Sequence, residues 1–497
     1  MLFNSYVFLF LFLPITLAIY FVAGRRSHRL AIAWMALASL GFYAWWNPPY
    51  ILLLLASVLF NYGAGQALIR APNPASRRGL LAVAVVADLA LLGYFKYANF
   101  FLDSARALFD TNWDVGAIIL PLGISFFTFT QITFLVDTAR GQVKEVDFTR
   151  YLLFVTYFPH LIAGPILHHA EMMPQFARPD IARFSSRRMA LGLSIFTVGL
   201  LKKVVLADSI AVHASPMFEA AAHGGHFTAV ESWSGALAYT LQLYFDFSGY
   251  SDMAIGLARM IGVRLPLNFN SPYKSASIIE FWRRWHMTLS RFLRDYVYFS
   301  LGGNRRGPSR RYVNLMLTML LGGLWHGAGW TFVLWGALHG FYLLINHAWI
   351  AVAGVPATPS RARRVGAALL TFLAVVVAWV LFRAPSLGAA MNVLAGMVGV
   401  HGVWPADMTK AQSATLAAGW GWVVGLLAIV WLLPNTQEIF ARYRLELRRH
   451  PWPNVLPLPI LGVRWRLTTG WACLLALGAV VAVVRLTRPS EFIYFQF

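Results

Sequence analysis

The chain has 497 residues, of which 58% are apolar and 12% charged, with a formal net charge of +21 at pH 7. A soluble domain carries roughly 25% charged residues, so the composition excludes a soluble globular fold and points to an all-α polytopic membrane protein. The charge invites a nucleic-acid role, and its distribution argues against one. With Arg25 and Arg26 placed in the cytoplasm, 32 of the 41 Lys and Arg fall in the loops 24–29, 70–78, 138–150, 167–188, 263–311, 361–364 and 442–466, while the loop 208–228 has none. That is the positive-inside asymmetry, and it makes the excess charge topological.

The first apolar stretch, 6–23, has no basic segment before it and no small-residue cleavage site after it, so it reads as a retained span rather than a signal peptide. Hydropathy and alternating loop charge then predict about twelve crossings, near 6–23, 30–46, 49–69, 79–94, 117–137, 188–207, 229–262, 312–327, 331–349, 365–383, 416–433 and 467–485. Both termini are expected on the non-cytoplasmic face. Residues 1–497 read as a single membrane domain with a short aromatic tail over 489–497.

The stretch 152–167, LLFVTYFPHLIAGPIL, is apolar but interrupted by Pro159, Gly164 and Pro165 and flanked by basic loops. It is expected to dip into the membrane and return, packed inside protein, because lipid does not tolerate unpaired backbone. His168 and His169 follow it without a third ligand at metal-site spacing, so no metal is expected. Lys202 and Lys203, near the end of the sixth span, are expected to snorkel to the interface.

Polar groups inside apolar segments are costly and so mark functional candidates. The segment 243–253, LYFDFSGYSDM, places Tyr244, Asp246, Ser248, Tyr250, Ser251 and Asp252 within a long span. Its carboxylates need partners, which His326 or a basic residue would supply; helix–helix hydrogen bonding is the plainer alternative. In 281–298, FWRRWHMTLSRFLRDYVY, apolar residues recur every three or four positions between Arg283, Arg284, Arg291 and Arg294. This predicts a helix lying at the cytoplasmic interface, either as a simple anchor or as cover for a site containing His286.

In 321–330, LGGLWHGAGW, His326 sits among small residues and tryptophans. Small residues let backbones or a substrate chain approach closely. An imidazole there can take a proton from a hydroxyl and return it, or it can hydrogen-bond a neighbouring helix. Cys473, the single cysteine, reads as a small buried apolar residue of the last span. In PSEFIYFQF, 489–497, the aromatics suit an interfacial belt, and Tyr494 has a hydroxyl that can carry an acyl group. Phosphate-loop, H-E-x-x-H and G-x-S-x-G motifs are absent from the sequence, leaving an ATP-driven pump or soluble hydrolase unsupported.

Taken together, YFKYANFF at 94–101, PLGISFFTFTQITFLVD at 121–137, FPHLIAGPI at 158–166, YFDFSGYSDMAIGLARMIG at 244–262, LNFNSPYKSASIIEFWRRWHMTLSRFLRDYVY at 267–298 and GGLWHGAGW at 322–330 closely resemble the membrane-bound O-acyltransferase family, in its bacterial branch typified by the alginate O-acetylation membrane protein. The resemblance implies about twelve transmembrane helices, with re-entrant and interfacial helices, around a catalytic funnel. It implies His326 as the central catalytic residue and His286 as a second functional histidine. EFIYFQF resembles the aromatic C-terminal motif of the teichoic-acid D-alanylation system, which implies Tyr494 as acyl carrier.

The implied reaction takes acetyl from acetyl-CoA, a substrate rather than a bound cofactor. Arg283, Arg284 and Arg291 meet its phosphates, and Trp325, Tyr244, Asp246 and Ser248 line the substrate path. An SGNH-hydrolase-like periplasmic acetyltransferase then modifies an exopolysaccharide of alginate or cellulose type, in a multi-pass protein of the bacterial inner membrane. The alternatives are a peptidoglycan O-acetylation component or a transporter of an acetylated carrier. The latter predicts paired halves with matched broken helices, and no such symmetry is visible in the sequence.

Overall fold

The computed structural model describes residues 1–109, 116, 118–354, 359–443, 462–487 and 493. Among these, all regular structure is helical. Each of the twelve expected spans corresponds to a helix. Seven are long and apolar enough to cross a membrane: Phe8–Arg26, Tyr50–Arg70, Pro74–Phe109, Ser186–Ala222, Trp330–Ala353, Arg361–Arg383 and Lys410–Leu432. Ile124–Ala139 and Thr469–Arg485 are apolar but shorter, and His28–Ala44, Ala229–Ile261 and Pro308–His326 supply the remaining three. One further apolar helix, Leu387–Met397, lies within what hydropathy left as a loop.

Local chemistry fixes where many helices begin. Asn73, Asp147, Ser277, Ser360, Ser386 and Thr409 each accept a first-turn amide through their side chains, satisfying groups that have no intrahelical partner. Large apolar side chains such as Leu52, Val83, Leu370 and Leu477 stay exposed on the outer faces of these helices, as a lipid-facing surface requires. Cys473 is exposed as well. The expectation of a buried thiol is therefore corrected: it shares an outward apolar face with Leu474 and Leu477.

The chain forms two compact units. The first comprises Met1–Thr197 and Tyr250–Pro266. Phe3, Phe8, Phe42, Phe158 and Tyr250 pack together there, and Gly192 and Gly256 allow close backbone approach. The 152–167 stretch breaks at Tyr157 between the helices Phe148–Thr156 and Phe158–Leu161, and residues 153–167 are all buried. Non-helical backbone at this point is thus sheltered by protein.

The second unit comprises Val198–Gly249 and Leu267–Phe497. Its centre is an aromatic core in which Trp379 packs 4.9 Å from Trp285 and 5.7 Å from Trp335, centroid to centroid. Beside it the helices Pro308–His326 and Trp330–Ala353 form a hairpin whose contact is made by glycines. A Cβ on Gly323 would strike the Phe332 carbonyl, and one on Gly336 would strike the Met319 carbonyl. The small residues of the 321–330 motif therefore serve backbone approach between helices.

Candidate active site

His326 ends its helix because Gly327 turns extended, with φ −159° and ψ 150°. The imidazole is buried and ringed by Trp325 at 4.9 Å, Trp335 at 5.1 Å and Phe382 at 5.2 Å between centroids. His286 lies 6.1 Å away, its ring inclined by 61°. The structure thus brings together His326, His286 and Trp325, the last also 6.0 Å from His286.

The predicted helix over 281–298 is broken at His286, which corrects the picture of one helix lying along an interface. Ile278–Arg284 stops, Trp285 is extended, and His286 adopts the left-handed conformation, φ 41° and ψ 53°, before Met287–Phe292 resumes. Such a conformation costs of order 1–3 kcal/mol for a non-glycine residue and persists only where its surroundings hold it. Phe281, Trp285, Leu289 and Phe292 recur at helical spacing, yet all are buried, so the periodicity reports packing into protein on both sides of the break.

Asn268 does much of the holding. The Met287 N–H donates to its backbone carbonyl at 2.9 Å. Its Oδ1 accepts from the Thr288 N–H at 3.3 Å and the Thr288 hydroxyl at 2.9 Å. A backbone N–H can only donate, so the atom facing it is the amide oxygen. His286 Nδ1, 3.1 Å from the same oxygen, must then carry the proton. Burial pushes the His286 imidazole down to about 3, so the ring is neutral at pH 7 and Nε2 holds its lone pair. In this tautomer Nε2 is a hydrogen-bond acceptor and cannot donate to an oxyanion. Asn268 went unremarked in the sequence; its signal was an amide between the apolar Leu267 and Phe269.

The other candidates separate. Arg284 is 2% exposed, with Nε 2.9 Å from Glu280 and a guanidinium N–H donating to the Asn270 carbonyl at 3.1 Å. It ties its own helix, through Glu280, to the segment that carries Asn270. Arg283 is exposed and Arg291 half-buried. Asp246 is buried with its carboxylate 2.7 Å from Lys203 Nζ, which lies equally close to Asp208. Lys203 therefore does not snorkel outward, and Asp246 faces a lysine. From that helix it is Phe247 that packs against His286, at 4.8 Å; Ser248 is buried on the next position. Tyr244 lines a cavity of about 370 Å³ with Lys202, Phe245, Ser271, Asn435 and Thr436. Among the described residues no three His, Cys, Asp or Glu side chains gather as a metal site. Tyr494 lies outside the described residues.

Comparison with known proteins adds a family. Residues 125–384 match the profile of MBOAT, the membrane-bound O-acyltransferase family. The chain is 43% identical to a peptidoglycan O-acetyltransferase of Helicobacter pylori over 84% of its own length and 83% of that protein. It is 42% identical to a probable alginate O-acetylase AlgI of Pseudomonas putida over the full length of both. It is 44% identical to the Pseudomonas aeruginosa protein of that name over 87% of this chain and 80% of the relative.

Proposed function

The chain belongs to the membrane-bound O-acyltransferase family, and from that premise we propose that it takes acetyl from cytoplasmic acetyl-CoA and passes it across the membrane for O-acetylation of an extracellular polysaccharide. It is an O-acyltransferase and a multi-pass protein of the bacterial inner membrane, of the alginate O-acetylation branch. The donor, the direction of transfer and the partner are our reading. The observation that carries it is the pair His326 and His286, buried together within an aromatic wall.

The acceptor hydroxyl gives its proton to His326 as its oxygen attacks the thioester carbonyl. The C–S bond then breaks, and the proton returns to the departing thiolate, leaving an ester and free CoA thiol. His286, with its proton committed to Asn268, accepts a hydrogen bond through Nε2 and so orients the acceptor hydroxyl or a donor amide. Arg283 and Arg291 meet the phosphates of CoA. The acceptor in this scheme is the Tyr494 hydroxyl, from which an SGNH-hydrolase-like periplasmic acetyltransferase moves acetyl to the polymer.

An alginate-type polymer is favoured because the similarity to the Pseudomonas putida protein spans both chains completely. The Helicobacter pylori relative supports peptidoglycan as the second reading. The test is His326→Ala: polymer acetylation is lost while the protein still accumulates in the membrane, and normal acetylation refutes the scheme. Transfer or hydrolysis of acetyl from acetyl-CoA by the purified protein separates an enzyme from a carrier-moving transporter.

A further inference from the structure

The cavity of about 370 Å³ that Tyr244 lines lies within the second unit and has the size of a small-molecule site. Its walls are aliphatic, with Leu201, Val205 and Leu206 on one helix and Ile429 and Val430 on another. Both helices, Ser186–Ala222 and Lys410–Leu432, are long and apolar enough to cross a membrane. Lys202, Ser271, Asn435 and Thr436 add polar groups, and none of the lining residues is acidic. Lys202 Nζ donates to the Thr436 hydroxyl at 2.7 Å, and Asn435 Nδ2 donates to the Ser271 hydroxyl at 2.8 Å. Asn435 and Thr436 are consecutive, so these polar groups gather in one place. Glu438, three residues beyond Asn435, accepts the Asn435 N–H at 2.7 Å. A hydrocarbon slot with an ammonium and hydroxyls at one place matches an amphiphile with an anionic head.

Neither His286 nor His326 lines this cavity, yet a short strap over 268–271 joins it to His286. At one end of the strap Asn268 faces the His286 ring and accepts from Thr288. At the other end Ser271 is part of the cavity lining. Ser271 and His286 are the non-glycine residues with left-handed backbone among the described residues, at φ 48° and 41°. Such backbone persists only where its surroundings hold it. Asn435 supplies that hold at the cavity, reaching both Ser271 and the Asn270 side chain, at 2.9 Å from the latter. Asn268 supplies it at the histidine.

We propose that this cavity binds a membrane amphiphile, with a hydrocarbon chain between the helices and an anionic head at Lys202, and that its occupancy braces the strap that holds His286. Lys202 is a binding residue in this assignment and touches no reacting atom. Neither the site nor its link to His286 depends on the acetyl donor or acceptor read above.

Native mass spectrometry of the delipidated full-length protein, titrated with phosphatidylglycerol, oleate or phosphatidylcholine, tests the site. The wild type keeps phosphatidylglycerol or oleate under conditions that strip phosphatidylcholine, and the probe kept names the source, a diacyl lipid or a free fatty acid. Lys202→Gln weakens that retention about fivefold. Val205→Trp, which fills the cavity with an indole, abolishes it; where this variant does not accumulate, Lys202→Gln alone decides. Equal retention of the anionic probes in wild type and variants overturns the proposal, as does equal retention of phosphatidylcholine and the anionic probes by the wild type. Amide hydrogen exchange reads the strap. The retained probe slows exchange of the Met287 and Thr288 amides at least about threefold in the wild type, and less in Lys202→Gln at the same probe concentration. Retention without slowing overturns the link to His286 and leaves the binding site standing.

Discussion

His286 and His326 face each other at 6.1 Å between ring centroids, one from a strained break between two short helices and one from the last position of a long helix. Both positions stop a helix, so each ring is carried on backbone whose course neighbouring contacts define. Truncating the two should not be equivalent. His326→Ala removes the proton acceptor and should lower kcat by about 10²–10⁴-fold. His286→Gln keeps an acceptor near Nε2 and should lose roughly ten- to a hundredfold, through a weaker hydrogen bond at that point. Single-turnover acetyl transfer with purified protein measures both; equal losses contradict the division of roles.

Asn268 sets the tautomer of His286, and its replacement has a pH signature. Burial holds His286 near 3, below the ordinary value of 6.5. Between those values the unfolded chain binds more protons than the folded one, so the contribution of His286 makes stability fall as pH drops from about 6.5 toward 3. Asn268→Asp places a carboxylate beside Nδ1, favours the imidazolium and raises the His286 pKa. The acid limb of the activity profile should therefore move to higher pH in Asn268→Asp, with kcat affected more than KM. Asn268→Ala instead strands the Thr288 and His286 donors and should cost about 1–3 kcal/mol of stability, visible as a lowered unfolding temperature in detergent.

Much of this site is legible in the sequence, and the illegible parts have a common cause. Trp325, His326 and His286 stand out because polar or small residues interrupt apolar runs, and the twelve helical segments follow from hydropathy. The break at Trp285–His286 is hidden because Phe281, Trp285, Leu289 and Phe292 keep a helical period straight through it. What breaks the helix is Asn268, eighteen residues away, and what commits Arg284 is Asn270 together with Glu280. Likewise Lys203 and Asp246 are 43 positions apart in sequence. Periodicity and spacing report local order, whereas these partners are set by tertiary pairing.

Arg283, Arg284 and Arg291 look interchangeable as a basic run and should behave differently. Arg283→Ala and Arg291→Ala should raise KM for acetyl-CoA severalfold, with an effect that shrinks as salt screens the phosphates. Arg284→Ala removes the 2.9 Å partner of Glu280, a half-buried carboxylate in the first turn of the same helix that still accepts the Ala276 N–H, and leaves the Asn270 carbonyl without that donor. It should cost about 3–5 kcal/mol, appearing as poor accumulation in the membrane rather than as a change in KM. A pure KM effect in well-folded Arg284→Ala returns that residue to the substrate side.

The helix hairpin under the site offers a last test, since its glycines are spacers. A Cβ on Gly336 would meet the Met319 carbonyl, and one on Gly340 would come 2.7 Å from Met316 Sδ. Backbone cannot yield as a flexible thioether can, so Gly336→Ala should be the more damaging of the two. Overpacking costs typically about 1–3 kcal/mol, and here it also shifts His326 relative to His286, because Gly323 and Gly336 set the separation of the two helices. Gly336→Ala should therefore lower both thermal stability and kcat, while Gly340→Ala should keep near-normal kcat. Comparing unfolding temperature and kcat for the pair checks this, and equal behaviour would mean that the hairpin spacing does not govern the histidine geometry.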